Sequence, residues 1–171
     1  MKKNFLIVFT ACALSASTLA DDGKINFYGT ITDVSCTVVN DVSNPLTVTM
    51  GTVSSKAFTG AGSTAAPTRF TLLLKNCPSS VKSAVVKFDG IPALNDDTVL
   101  ALSKVTGMAT NVGIQITDNQ RRVVPLFTPS SSYPLNAGEN NLNFVARYYA
   151  TGNKVTSGPA NATSNFTIIY N

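Results

Sequence analysis

The chain has 171 residues, 44% of them hydrophobic and 13% charged, which suits one folded domain and excludes disorder as its main state. It contains no His and no Trp, and without His neither Ser-His-Asp or Cys-His catalysis nor a His-based metal site can be built. The formal net charge is +4; Lys2 and Lys3 supply two of the 13 basic residues, and the other 11 against 9 acidic ones leave +2, too near neutral for a nucleic-acid surface.

Met1-Lys2-Lys3-Asn4 gives the chain a positive start. The apolar run from Phe5 to Leu14 has the length of a signal core and is too short to span a membrane. Thr18 and Ala20 put small residues where a signal peptidase needs them. Residues 1–20 are therefore expected to be an export signal, with Asp21 as the mature N-terminus and Cys12 lost with the signal. No later apolar run is long enough to span a membrane.

Residues 21–33 form an extension before the first remaining cysteine. Asp21-Asp22-Gly23 opens it, and an alternating strand follows in which Gly23, Ile25, Phe27, Gly29 and Ile31 share one face. Two readings stand at this point: an ordinary first strand of the domain, or a strand meant for another molecule.

Cys36 and Cys77 remain as an even pair in an exported chain, so a disulfide is expected. The loop it closes would stabilise the fold by about 4 kcal/mol in the chain-entropy model. Zinc is a poor competitor, because two thiolates without His cannot complete a four-ligand site.

The rest of the chain alternates at strand spacing, with no convincing helix. Expected strands are 46–50, 69–74, 83–88, 98–102, 112–116, 141–149 and 166–170. Turn-forming clusters separate them: Thr59-Gly60-Ala61-Gly62-Ser63, Asp89-Gly90, Asp118-Asn119 and Ser130-Ser131-Ser132-Tyr133-Pro134. Short strands at this spacing predict an all-β sandwich or barrel over residues 34–171.

The C-terminal run from Gly158 to Asn171 resembles the last strand of chaperone–usher pilins, the subunits of type 1-like fimbriae. In that family a glycine stands fourteen residues from the end and a tyrosine is penultimate, as Gly158 and Tyr170 do here. Ile25-Asn26-Phe27-Tyr28-Gly29-Thr30-Ile31, followed by Asp33-Val34-Ser35-Cys36, is similar to the family's N-terminal arm and first cysteine. Cys77 completes its cysteine spacing, and residues 111–116 and 143–149 look like its middle strands.

The resemblance implies an incomplete immunoglobulin-like sandwich that lacks its last strand and carries an N-terminal donor-strand extension. It implies polymerisation by donor-strand complementation into a surface fibre used in adhesion. The arm residues Gly23, Ile25, Phe27, Gly29 and Ile31 would enter the groove of a neighbouring subunit. Gly158, Ala162, Ser164, Phe166, Ile168, Tyr170 and Asn171 would form the strand that a periplasmic chaperone, and later a donor arm, pairs with. The Asn171 carboxylate would anchor to a basic residue of the chaperone. Partners would be other fimbrial subunits, the chaperone and an outer-membrane usher; no cofactor, metal or small-molecule substrate is implied. The route would run through the periplasm to a fimbria on the cell surface.

Other classes have weaker support. Asp96-Asp97 is an adjacent acidic pair and reads as a solvated turn; paired-carboxylate hydrolysis would need a converging partner. Ser54-Ser55, Ser79-Ser80 and Ser130–Ser132 have no base beside them, and Arg121-Arg122 reads as a hairpin tip. The glycosylation patterns at Asn161 and Asn165 are coincidental in this export context. About fifteen mature residues precede Cys36, too few for a separate receptor domain. The remaining alternative is a monomeric secreted immunoglobulin-like binding domain with a complete sandwich.

Overall fold

The computed structural model describes residues 23–29, 31 and 35–171. The expected export signal lies outside the described residues, as do Asp21, Asp22, Thr30 and residues 32–34. The chain divides into two units, Met1–Ile31 and Thr32–Asn171.

In the first unit, residues 23–29 and 31 are exposed and carry no strand, which departs from the strand expected from their alternation. Phe27 is 90% exposed and Ile25 77%. Extended backbone becomes a strand only through ladder bonds to a neighbour, and the described arm residues take part in none.

The second unit is all-β apart from one 3₁₀ turn, Ser55–Ala57. Its strands are β1 (Thr37–Val38), β2 (Thr64–Cys77), β3 (Ser83–Asp89), β4 (Pro92–Ala93), β5 (Asp96–Leu100), β6 (Val112–Thr117), β7 (Tyr133–Pro134), β8 (Gly138–Ala150) and β9 (Asn165–Tyr170). They form a six-stranded sheet in the order β1-β2-β8-β6-β5-β4 and a three-stranded sheet in the order β7-β3-β9, with antiparallel pairing throughout. This is the sandwich that the patterning predicts, and within it strand alternation is read out directly. In β8, Asn140, Leu142, Phe144, Ala146, Tyr148 and Ala150 are buried while their neighbours face outwards.

Two expectations need correction. Residues 46–50 alternate but form no ladder. Val48 and Met50 are half-buried, so the segment keeps the side-chain rhythm of a strand without a hydrogen-bonded partner. Asp96 and Asp97 are not in a turn; they begin β5. The turn is Leu94-Asn95, a two-residue hairpin loop with both φ angles positive (53° and 62°), the backbone that best matches strand twist. Asp96 Oδ1 accepts from the backbone N–H and hydroxyl of Thr98, 2.9 and 2.6 Å away, which fixes the start of that strand.

The longest strand, β2, bends twice. Register shifts fall between Ala65 and Thr68 and between Leu74 and Cys77, with Ala66 and Asn76 at positive φ. Pro67, which cannot donate to a ladder, sits inside the first shift. The core between the sheets centres on Phe144. It stacks on Phe70 at 5.5 Å, meets Phe88 edge-on at 5.1 Å and touches Tyr133 at 5.3 Å. Leu72, Leu74, Leu142 and Val86 belong to the same core and are fully buried.

Tyr133 belongs to the stretch expected to be a turn, and it is instead a core residue. Its hydroxyl donates to the Asn143 carbonyl at 2.7 Å and accepts from Asn119 N–H at 3.3 Å. Burial pushes its pKa up to about 12. Ser130 is equally structural: its N–H donates to the Val86 carbonyl at 2.8 Å and its hydroxyl accepts from Val86 N–H at 3.0 Å.

The Arg121-Arg122 tip is organised by buried Asp118. Its Oδ1 accepts from the N–H groups of Gln120 and Arg122 at 2.9 and 3.0 Å, and its Oδ2 from Ser131 N–H at 3.3 Å. Burial alone would raise the Asp118 pKa; the hydrogen bonds from Ser131, Arg122 and Gln120 outweigh it and hold the carboxyl below the ordinary value of 3.8. A carboxylate with a depressed folded pKa contributes stability above its unfolded pKa and loses it as pH falls through the folded one. Asp118→Ala should therefore destabilise the domain by about 1–3 kcal/mol at neutral pH, because it strands buried N–H groups. In thermal unfolding followed by circular dichroism, the gap between wild type and variant should narrow on acidification through the carboxylate range.

Candidate interface: the open face between the first and last strands

Both sheets end on an edge strand near the disulfide. β1 pairs with β2 alone, Thr37 opposite Lys75 and Val38 opposite Leu74. β9 pairs with β3 alone, from Phe166 opposite Phe88 to Tyr170 opposite Ala84. Among the described residues, neither edge has a second ladder partner. Cys36, at the start of β1, is bonded to Cys77, at the end of β2, and both are buried.

The side chains on β9 alternate as the sequence predicts. Ala162, Ser164, Phe166, Ile168 and Tyr170 are half-buried, and the residues between them are exposed. The comparison with β3 is decisive. Cross-strand partners in an antiparallel ladder share a face. Ala84, Val86 and Phe88 are 0%, 0% and 3% exposed, whereas their partners Tyr170, Ile168 and Phe166 are all half-exposed. The inner face of the smaller sheet is sealed at β3 and open one strand later. The reason is local. Beyond β3 lies the 127–134 segment, bonded to it through Phe127, Ser130 and β7. Beyond β9 no described residue forms a ladder.

The opposite lip of the opening was only half legible. Val38, Met50, Val53 and Phe58 pack against the core without being buried. Phe70 on β2 is half-buried as well, its ring 6.2 Å from Phe88. The alternation at 46–50 was the available signal for this lip; the segment from Gly51 to Phe58 offered none. At the far end a cleft of about 340 Å³ opens between residues 51–58 and 155–161, floored by Ala109, Val112 and Tyr148.

At the near end, Tyr170 closes on Cys36. Its hydroxyl is buried and makes no well-formed hydrogen bond among the described residues. Burial raises its pKa, and the Cys36 backbone opposes that rise. Asn171 continues the ladder: its N–H donates to the Ser83 carbonyl at 2.8 Å, and an oxygen of its carboxylate accepts from the N–H groups of Lys82 and Ser83 at 2.9 Å each.

Gly158 stands at the turn into this strand, with φ +150°. A Cβ there would lie 2.1 Å from the Gly107 carbonyl oxygen and 2.6 Å from Ala109 N. Backbone passes against backbone, and only hydrogen fits between. Gly29 and Gly23 differ: a Cβ on either would meet nothing within 4 Å. The five arm residues proposed from sequence are exposed. Among the described residues no cluster of His, Cys, Asp or Glu could hold a metal.

An immunoglobulin-like sandwich whose inner face stays open beside its last strand defines a β-domain of the pilus-subunit class. The comparisons agree. A family profile described as "Fimbrial protein" matches residues 25–171. The chain is 40% identical to the type-1 fimbrial protein, C chain, of Escherichia coli, over 99% of both chains. Its structure is similar to that of a Burkholderia pseudomallei antigen and type I fimbria protein, with a TM-score of 0.61 and 36% identity over 81% of this chain and 91% of the other. A subunit from a chaperone–usher pilus shares the fold at a TM-score of 0.65 and 23% identity, over 92% of this chain and 100% of the other.

The chain belongs to the fimbrial protein family. It is a fimbrial subunit, a structural protein of the surface fimbria rather than an enzyme.

Gly158→Ala tests the tightest point of this geometry. It forces a methyl group against two backbone atoms at a φ that side chains avoid, so the domain should lose about 2–3 kcal/mol or more. A clearly lower thermal midpoint is expected, while Gly29→Ala on the exposed arm should leave the midpoint unchanged.

Proposed function

We propose that the subunit polymerises by donor-strand complementation: the arm at residues 23–31 of one copy fills the open face beside β9 of the next. The observation that carries this reading is the paired exposure on β3 and β9, sealed on one strand and open on its neighbour. An added strand would offer β9 the ladder it lacks and cover Phe166, Ile168 and Tyr170. On the donor side, Ile25, Phe27 and Ile31 are exposed apolar residues at strand spacing. Fully burying each contributes roughly 1.5–3 kcal/mol, and main-chain hydrogen bonds add to that. Affinity on that scale holds a fibre together without a covalent link.

The same open face makes a free subunit prone to aggregate. A periplasmic chaperone that lends a strand, followed by an outer-membrane usher, supplies the route from the export signal at 1–20 to an adhesive surface fibre. In this scheme residues 21–33 are the donor extension, residues 34–171 the acceptor domain, and Gly158 to Asn171 the strand that the chaperone reads. A complete monomeric sandwich is disfavoured, because such a domain would seal β9 as it seals β3.

Two experiments test the proposal. Phe27→Asp places a charge where a dry contact is needed, at several kcal/mol, and Gly29→Leu adds a side chain to the one gap in the alternation. Both should leave the chaperone–subunit complex at normal periplasmic yield and cut incorporation into surface fibres at least about tenfold, which a cost of 1.4 kcal/mol already produces. Low yield of the complex for both variants would overturn the donor assignment. Deleting Tyr170-Asn171 should do the reverse and reduce recovery of the complex itself; unchanged recovery would show that this end is not the recognition strand.

A further inference from the structure

One wall of the 340 Å³ cleft is built from chain that has no strand of its own. The polypeptide leaves β8 at Ala150 and re-enters a ladder at Asn165. In between it forms the cleft lining from Val155 to Asn161. Its position therefore depends on what it is tied to: the Tyr148 hydroxyl on β8 donates to the Ala160 carbonyl at 3.4 Å, and the other ties of the lining run to residues 103–111. The N–H groups of Ser103 and Ala109 donate to the carbonyls of Asn161 and Pro159 at 2.7 and 2.9 Å. Thr110 and Thr156 join through their hydroxyls at 2.9 Å and through Thr110 N–H to the Thr156 hydroxyl at 2.8 Å.

Asn111 closes the 103–111 segment. Its φ is +59°, a left-handed backbone that Asn tolerates better than most residues. Its carbonyl accepts from Thr151 N–H at 2.9 Å and its side-chain Nδ2 donates to the Lys154 carbonyl at 2.8 Å. Its side chain fills the inside of the turn at Gly152, where a Cβ would lie 3.0 Å from Asn111 Cγ. Asn111 grips the departing chain at two points three residues apart, just before the wall begins. It does not line the cleft itself.

We infer that Asn111 is a positioning residue for strand uptake: by clamping Thr151 and Lys154 it holds the cleft open at the width an incoming apolar side chain enters. The inference rests on the donor-strand reading and deepens it. The facing lip, residues 51–58, makes hydrogen bonds only within itself among the described residues: Ala57 N–H to the Ser54 carbonyl, Phe58 N–H to the Ser55 carbonyl, and Lys56 N–H to the Ser54 hydroxyl. The cleft thus has one wall fixed by hydrogen bonds and one lip held by apolar packing of Val53 and Phe58. Loosening the fixed wall lets the two sides collapse together, which slows entry. Once a strand is seated, its own contacts hold the walls apart, and the clamp matters less.

The test uses the full chain carrying Phe27→Asp, so that its own arm is not a competing donor. Unfolded protein is diluted into native buffer with a fluorescent peptide of residues 21–33. Capture is followed by anisotropy, and release by chase with unlabelled peptide. Asn111→Asp keeps the size and backbone tolerance but loses the donor to Lys154. Asn111→Gly keeps the left-handed backbone without the side chain. Gly152→Ala disturbs the clamp from the other side. Each should slow capture about tenfold, the worth of one hydrogen bond felt in the entry step, and change release less than about twofold. Unchanged capture, or capture and release altered in proportion, would overturn the inference. Failure of the unmodified acceptor to capture the peptide, or equal capture of a Phe27→Asp peptide, would instead overturn the donor-strand reading. Should one Asn111 variant not refold, the other and Gly152→Ala decide.

Discussion

Tyr170, Ile168 and Phe166 stand directly beside Ala84, Val86 and Phe88 on one face of one sheet, and only the second row is covered. Most of the domain's unusual features follow from that difference. An apolar face next to an unpaired strand edge carries two costs at once, exposed hydrocarbon and unsatisfied backbone groups. Phe144 meets Phe88 of β3 edge-on, and β3 is bonded on both edges. The disulfide ties the short β1 to the long β2 at the end where Tyr170 arrives.

The opening has structure along its length. At one end Tyr170, Cys36 and the ladder through Asn171 make a tight closure. At the other, two loops stand apart across a cleft, one strung to its neighbour by hydrogen bonds and the other resting on apolar contacts. Gly158 belongs to the bonded loop, and its missing side chain lets that loop lie against residues 107–109. The opening thus has a hydrogen-bonded base and a mouth with one hydrogen-bonded side and one apolar side.

Much of the architecture was legible because alternation survives folding. The β8 pattern, the β9 face from Ala162 to Tyr170 and the Cys36–Cys77 pair could all be read from residue order alone. What was not legible depended on partners remote in sequence. Residues 46–50 alternate like a strand but lack a neighbour to bond with. The alternation of the arm is equally silent about whose sheet it suits, since side-chain period reports the geometry of a strand and not the identity of its partner. Tyr133 and Ser130 hid in a turn-like cluster, because a hydroxyl that replaces a ladder bond looks the same in sequence as one in a loop. Asn111 gave no signal either: its role comes from a left-handed backbone and from Gly152, 41 positions away.

The disulfide also decides how the domain would carry tension. Tension applied at Cys36 would have two ways onward. From there a covalent bond passes it straight to Cys77, at the end of β2, whose ladder with β8 runs nearly its whole length. The two-residue β1 and the lip from 39 to 58 lie off that path. Force would thus bypass the lip of the opening and enter the β2–β8 pair, whose register runs from Thr64 to Cys77.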